Sequence, residues 1–467
     1  MTLEIADILI IVIYFAIVLY VGFVVAGKKE RKSESKEEYL LAGRKLTLPL
    51  FVASLVATWY GSILGIGEFV YTSGFVAWVC FGLPYYIAAG IFAYFLAGKI
   101  RSSNVTSIPE QIRMKYGKYA GIAASVIVLV ITIPAAYILM LGVIIQLFSG
   151  WSLWFSIIIG AVLSLIYLFT GGFRADVYTN TAQFVLMYLG FALLLVFALI
   201  NYGSIGDMLT LLPENHKTFK GDYNWQFLIA WFIIAFQTFV DPSFHQRCSA
   251  ATSPKTARNG IFVSIAFWAV FDFLTLTTGL FAKAYLNIEN PLMSFPLLGE
   301  AVLPAFFKGL FVVSLLATVM STLDSYAFLS ALTIGNDILS NFKKFSKFST
   351  QSLTKAGLII TGIVGVIIAI AMPSAVEIIY KTASVAVPGL IFPLTLSMNS
   401  KFEIKPKSAL LIMISSSLIS LSWTFLKAYE INFFKDIEPM FPGIIFAFIL
   451  TLFFIKKVAH NESFKFN

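Results

Sequence analysis

Charged side chains are scarce in this sequence: Asp, Glu, Lys and Arg make up 12% of its 467 residues, about half the share of an ordinary soluble domain. With 59% hydrophobic residues and a mean hydropathy of +0.87, a water-soluble fold would expose apolar surface it has no means to cover. Water is therefore excluded as the main solvent. Cysteine is almost missing. Cys80 and Cys248 lie in or beside apolar runs, and neither a disulfide framework nor a thiolate metal site is expected. His216, His245 and His460 are scattered, so no imidazole cluster is expected either. The longest hydrophilic stretches hold only about 15–25 residues, which leaves no room for a soluble catalytic module. No Walker loop, dinucleotide fingerprint or zinc motif occurs, and no His/Glu/Asp or Ser/His constellation converges. ATP-driven chemistry, redox chemistry and an organic cofactor are not expected, and the chain does not read as an enzyme.

What is abundant is apolar sequence in runs of about 20 residues, the length that crosses about 30 Å of hydrocarbon as a helix. In lipid the backbone must satisfy its own hydrogen bonds, so these runs are helices. The alternating ten-residue strands of a membrane barrel are not seen. Thirteen helices are predicted, at about 5–26, 46–72, 76–98, 119–148, 152–170, 176–201, 226–245, 260–285, 305–337, 356–373, 376–399, 408–427 and 439–456. The first is followed by a basic segment and has no small-residue cleavage site, so it reads as a retained helix and not as a signal peptide. Every second connection is basic. Lys28, Lys29 and Arg31 follow the first helix, Lys99 and Arg101 the third, Arg174 the fifth, Arg247, Lys255 and Arg258 the seventh, Lys343, Lys344 and Lys347 the ninth, Lys401, Lys405 and Lys407 the eleventh, and Lys456 and Lys457 the last. The positive-inside rule then predicts a multi-pass protein of the cell membrane with its N-terminus outside and its C-terminus in the cytoplasm. The net charge of +9 is read as loop charge that orients the chain, and no nucleic-acid partner is expected.

Two helices carry more polarity than a span requires. The second contains Thr58-Trp-Tyr-Gly61-Ser62-Ile-Leu-Gly65-Ile-Gly67-Glu68. Glycine weakens a helix by about 1 kcal/mol per position, and such a run either unwinds to free carbonyls for a cation or packs closely on a neighbour. In the ninth, Ser314, Thr318, Ser321, Thr322 and Ser325 form one polar stripe at helical spacing. Hydroxyl oxygens are hard ligands suited to hard cations, although they also bond to their own i−4 carbonyls. Asp324 sits beside the stripe, and an ionised carboxylate in hydrocarbon costs several kcal/mol unless a cation, a proton, a basic side chain or water answers it.

Four stretches together resemble the sodium:solute symporters, the family of proline, sugar and sialic acid carriers. They are Ser54-Leu-Val-Ala-Thr-Trp, Gly171-Gly-Phe-Arg-Ala-Asp-Val-Tyr-Thr179-Asn180-Thr-Ala-Gln183, Gln246-Arg247 with Ala250, Lys255, Ala257, Arg258 and Gly260, and Met320-Ser321-Thr322-Leu323. The resemblance implies an all-α integral membrane protein of the leucine-transporter fold. An extra N-terminal helix with its basic loop (1–45) would precede a five-helix repeat (46–201). A connection (202–225), a second, inverted repeat (226–399) and two appended helices with a tail (400–467) would follow. It also implies Na⁺ as the bound and transported ion, held by hydroxyls of Ser321 and Thr322 and carbonyls of Ala57, Tyr60 and Thr318. Asp324, Ser325 and Asn180 are further candidates. The family's Thr-Asp is here Thr179-Asn180, and Asp324 is the expected substitute for the missing carboxylate; a protonated or salt-bridged structural Asp324 is the other reading.

The same analogy sets a small polar solute (a sugar, an amino acid or a carboxylate) between the two broken helices. The candidate contacts are Ser62, Glu68, Gln237, Asp241, Tyr380 and Lys381, with Trp231, Phe236 and Phe244 as gates. Glu377 and Lys381 also suit a local i, i+4 pair, and Asp272 has no evident partner. The expected activity is Na⁺-coupled symport by alternating access, from a monomer or weak homo-oligomer. The alternatives are an H⁺-coupled carrier and a membrane sensor that binds solute without moving it.

Overall fold

The computed structural model describes residues 3–26, 36–345, 347–372, 374–428 and 437–458, which are almost entirely helical. Among them ten helices are long and apolar enough to cross a membrane, and three shorter apolar ones, Leu48–Ala57, Leu153–Leu165 and Met440–Phe454, fall within the second, fifth and thirteenth predicted spans. The elements used below are α1 (Ile5–Tyr20), α2 (Leu48–Ala57), α3 (Ile63–Ser73), α4 (Leu83–Phe92), α5 (Lys118–Thr132), α6 (Ala135–Ser149), α7 (Leu153–Leu165), α8 (Leu168–Tyr202), α9 (Trp225–Ile234), α10 (Pro242–Ala250), α11 (Pro254–Tyr285), α12 (Phe307–Leu332), α13 (Thr350–Ala371), α14 (Ala375–Ser397), α15 (Pro406–Ala428) and α16 (Met440–Phe454).

Helix starts are set by short polar caps. Asn224, Ser253, Ser349 and Ser374 each accept a backbone N–H from the first turn of α9, α11, α13 and α14, which satisfies donors that have no partner inside a helix. Breaks follow backbone chemistry. The predicted helix 119–148 is two, α5 and α6, parted at Ile133–Pro134, because proline has no N–H to continue the ladder. The predicted loop 171–175 is instead part of α8, which bends at Gly172, a residue with φ of +50°. Helix α10 runs to Ala250, so Arg247 lies inside a helix and not in the basic loop expected after residue 245.

The centre of the fold is α12. From Phe311 to Leu332 every residue is buried, so its polar stripe meets protein on all sides and not lipid. Helix α1 is the opposite case, with Ile8, Val12 and Ile17 exposed as a lipid-facing surface requires. Its buried Asp7 accepts from the backbone N–H of Phe306 at 2.9 Å and of Gly309 at 2.7 Å, so the N-terminal helix caps the start of α12.

One end of the bundle is tied by main chain. Leu46, ahead of α2, pairs with the end of α10 and the chain just beyond it, through Leu46 N to Ala250 O at 3.0 Å and Thr252 N to Leu46 O at 3.1 Å. Arg44 donates to Ser249 O at 3.0 Å, and Gln246 to Leu40 O at 3.2 Å. A short antiparallel pair, β1 (Phe402–Glu403) and β2 (Lys456–Lys457), fastens the two appended helices, with Phe402 opposite Lys457.

Candidate ion and solute site

The polypeptide leaves the helical path between α2 and α3, over Thr58–Ser62, and α12 crosses the gap. The carbonyls of Ala57 and Thr58 turn to that helix. Ser321 Oγ stands 2.8 Å from Ala57 O and 2.9 Å from Thr318 O, and Thr322 Oγ1 donates to Thr58 O at 2.9 Å. Five oxygens, three carbonyl and two hydroxyl, thus converge in a wholly buried spot, a neutral hard-donor set of the kind that suits a monovalent cation.

Gly61 permits this approach. A Cβ there would stand 2.5 Å from Thr322 Cβ and 2.6 Å from Tyr137 Cδ1. Overpacking of this kind costs about 1–3 kcal/mol, so Gly61→Ala is expected to lower the melting temperature of the purified protein; an unchanged melt would show that the break and α12 are not in contact. The other glycines of the run do different work. Gly67 packs inside α3, where a Cβ would meet Phe295 and Ser294 at 2.7 Å, and Gly65 faces the cavity described below.

Of the residues expected at the ion site, Ala57, Thr318, Ser321 and Thr322 come together. Tyr60, expected through its carbonyl, lies in the same interruption, and its phenol reaches Asp272 Oδ1 at 2.8 Å. The carbonyl that meets Thr322 is that of Thr58, a residue the sequence reading quoted but did not assign. Asp324 faces away. It accepts from Ser164 at 2.5 Å and from Tyr167, because neighbouring residues on a helix point about 100° apart.

The carboxylate beside Asn180 is Asp176, one turn earlier on α8. Asp176 Oδ1 accepts from Ser325 Oγ at 2.6 Å and from Asn180 Nδ2 at 3.1 Å. Its Oδ2 pairs with Arg247 Nη2 at 3.3 Å. The same nitrogen donates to Thr58 Oγ1 at 2.7 Å and Ser325 Oγ at 2.9 Å, and both charged side chains are fully buried. A guanidinium and a carboxylate therefore tie α10 and α8 to the break in α2–α3 and to α12. Neither residue was singled out in the sequence. Arg247 read as a loop charge and Asp176 as part of a motif.

Above the break lies a cavity of about 180 Å³. A single water needs on the order of 10–15 Å³ on the same measure, so a small organic solute has room. Ser62, Gln237, Asp241 and Tyr380 line it, with Trp59, Tyr60, Tyr85, Trp231 and Asp272. Glu68 and Lys381 do not. Glu68 lies between the lining residues Ile66 and Val70 but is not itself part of the wall, and Lys381 pairs with Glu377 at 2.5 Å on a partly exposed helix face. Of the three expected gates only Trp231 lines the cavity; Phe244 is buried against Trp59 and Trp268, and Phe236 is 36% exposed. The second broken helix is α9 and α10, separated by a 3₁₀ turn over Ala235–Phe239. Asp241 caps α10 by accepting from Ser243 N at 2.7 Å and takes a second bond from Tyr326 at 2.8 Å.

A family model described as the sodium:solute symporter family matches residues 39–397. The chain belongs to this family. Its fold is that of a Na⁺-coupled sialic acid symporter in a substrate-bound, outward-open state, with a TM-score of 0.80 at 18% identity, over 97% of this chain and 99% of that one. The high-affinity choline transporter 1 of Drosophila melanogaster is 24% identical over 80% of this chain and 63% of the transporter. The sodium-coupled monocarboxylate transporter 2 of Danio rerio is 24% identical over 78% and 62%. The sodium/proline symporter of Haemophilus influenzae is 24% identical over 88% and 87%. The chain thus spans less than two thirds of the first two relatives and most of the third.

Proposed function

We propose that this member of the sodium:solute symporter family is a secondary transporter that couples inward Na⁺ flow to the uptake of a small polar solute. The contact of the Ser321 and Thr322 hydroxyls with the Ala57 and Thr58 carbonyls carries the reading, because it joins an interrupted helix to the central helix through oxygens alone. Its relatives transport choline, monocarboxylates or proline by name, which supports a small polar solute without choosing one.

Na⁺ is cargo in this scheme. It replaces the direct hydroxyl–carbonyl bonds when the two hydroxyls turn their lone pairs inward, and it holds the break against α12 while the cavity admits the solute. The basic loops support an orientation with the N-terminus outside. The cavity then faces outward, and the joined ends of α2 and α10 close the cytoplasmic side. One positive charge moved through about 100 mV releases about 2.3 kcal/mol. A tenfold Na⁺ gradient adds about 1.4 kcal/mol, so one ion sustains a solute gradient of several hundredfold.

The test is uptake into proteoliposomes of a mixed panel of radiolabelled amino acids, sugars, carboxylates and small amines. Accumulation of a solute with an inward Na⁺ gradient, and its absence with K⁺, is the expected result. Accumulation driven by a pH step in Na⁺-free buffer would overturn Na⁺ coupling in favour of a proton.

A further inference from the structure

Among the described residues, the two charged side chains that line the cavity are both acidic, Asp241 and Asp272, and no Lys or Arg lines it. Neither carboxylate forms a salt bridge within 4 Å among the described residues. Asp241 accepts from the Ser243 N–H and the Tyr326 hydroxyl. Asp272 accepts from the phenols of Tyr60 and Tyr86. These donors are neutral. The basic groups close by are committed elsewhere, Arg247 to Asp176, Thr58 and Ser325, and Lys381 to Glu377. Two carboxylates on the wall of an apolar cavity, hydrogen-bonded only by neutral donors and with Arg247 acting on Asp241 alone and only through space, are costly to ionise unless a cation joins them.

The rest of the wall is aromatic. Trp59, Trp78, Phe81, Tyr85, Trp231 and Tyr380 face the cavity. Four of them pair ring to ring, Phe81 with Trp231 at 4.4 Å and Trp59 with Tyr85 at 5.1 Å between centroids. Electron-rich ring faces attract a cation with about 0.5–2 kcal/mol each, most when the site is dry. A neutral sugar can stack on such rings and bond to Ser62, Gln237, Thr275 and the tyrosine hydroxyls, but it brings no charge to answer the two carboxylates. A carboxylate solute would meet two like charges and no basic partner, and the amide end of α10 is already capped by Asp241.

From this we infer that the solute is a net cation, a small amine or quaternary ammonium compound, with its charged nitrogen held by Asp241 and Asp272 among these rings. The inference rests on the reading of this cavity as the solute site of a transporter, and adds the charge of what it carries.

The test is the thermal shift and equilibrium binding of purified full-length protein, in NaCl and in KCl. The probes are choline, small primary amines, the uncharged choline isostere 3,3-dimethylbutan-1-ol, glucose, proline and acetate. At least one cationic probe is expected to stabilise the protein, binding at least tenfold more tightly than its neutral isostere. Asp241→Asn and Asp272→Asn are each expected to weaken that binding at least tenfold, while Asp241→Glu retains most of it; unliganded melts show which variants remain folded. Na⁺-dependent stabilisation by glucose, acetate or proline and by no cation overturns the inference and leaves the symporter reading intact. Stabilisation by a cation equally in KCl keeps the solute class and removes Na⁺ coupling. Stabilisation by no cationic probe in either salt overturns the inference.

Discussion

Thr322→Val and Ser321→Ala should each raise the Na⁺ concentration needed for half-maximal uptake by at least tenfold, and the double variant should lose Na⁺-dependent uptake altogether. The argument is geometric. Ser321 Oγ lies within 2.9 Å of two carbonyl oxygens, and Thr322 Oγ1 within 2.9 Å of a third. Removing a hydroxyl therefore removes one oxygen from a set of five and leaves a buried carbonyl without its donor. Loss of a buried partner costs about 1–3 kcal/mol, and 1.4 kcal/mol is a factor of ten in affinity. Both variants should also melt earlier, so a lower melting temperature alone decides nothing. The deciding quantity is the difference between melts in NaCl and in KCl, which should shrink in the variants. Ser314→Ala is the control. Its hydroxyl bonds to Phe311 O, one turn into the same helix and away from the break, and its Na⁺ response should stay as in the wild type. Unchanged Na⁺ dependence in both Ser321→Ala and Thr322→Val would end the assignment of this ion site.

The parts of this site that sequence could reveal were those written at short range. The stripe from Ser314 to Ser325 has helical spacing, and the Glu377–Lys381 pair is an i, i+4 neighbour. Pairings between distant segments have no such signature. Asp272 finds Tyr60 and Tyr86 across separations of 212 and 186 residues, and Asp324 finds Ser164 and Tyr167 across 160 and 157. Each is a costly charge that announces itself, but its partner is any hydroxyl the fold brings near. Arg247 was misread for a related reason. A basic residue at the end of an apolar run ordinarily lies outside the hydrocarbon, and only its pairing with Asp176, 71 residues earlier, makes burial tolerable. Even Asn180 points to this in hindsight. Its amide donates to the Asp176 carboxylate 3.1 Å away, where an aspartate at the same position would put two negative charges side by side.

That buried pair should be the most sensitive point of the fold around the helix break. Arg247→Ala leaves the Asp176 carboxylate with only Ser325 and Asn180 as donors, and breaking a buried ion pair in this way typically costs about 3–5 kcal/mol. Asp176→Asn leaves the guanidinium without its ion-pair partner, with only the more distant Asp241 charge to answer it, and should cost a similar amount. Replacing both by apolar residues, Arg247→Met with Asp176→Leu, removes the stranded charge and should recover much of the stability, because such a pair stabilises little beyond its own desolvation. A double-mutant cycle on the melting of purified protein tests this, with coupling above about 2 kcal/mol expected within the range known for contacting groups. Strictly additive single effects would mean that the two charges do not meet. Uptake by the apolar double variant then separates stability from mechanism. Arg247 holds Thr58 at the helix break and Ser325 on α12 at once, so any movement of α2 and α10 against α8 and α12 must release or carry these bonds. A refolded variant without them should bind Na⁺ and solute yet cycle at a changed rate, because the contact that orders those movements is gone.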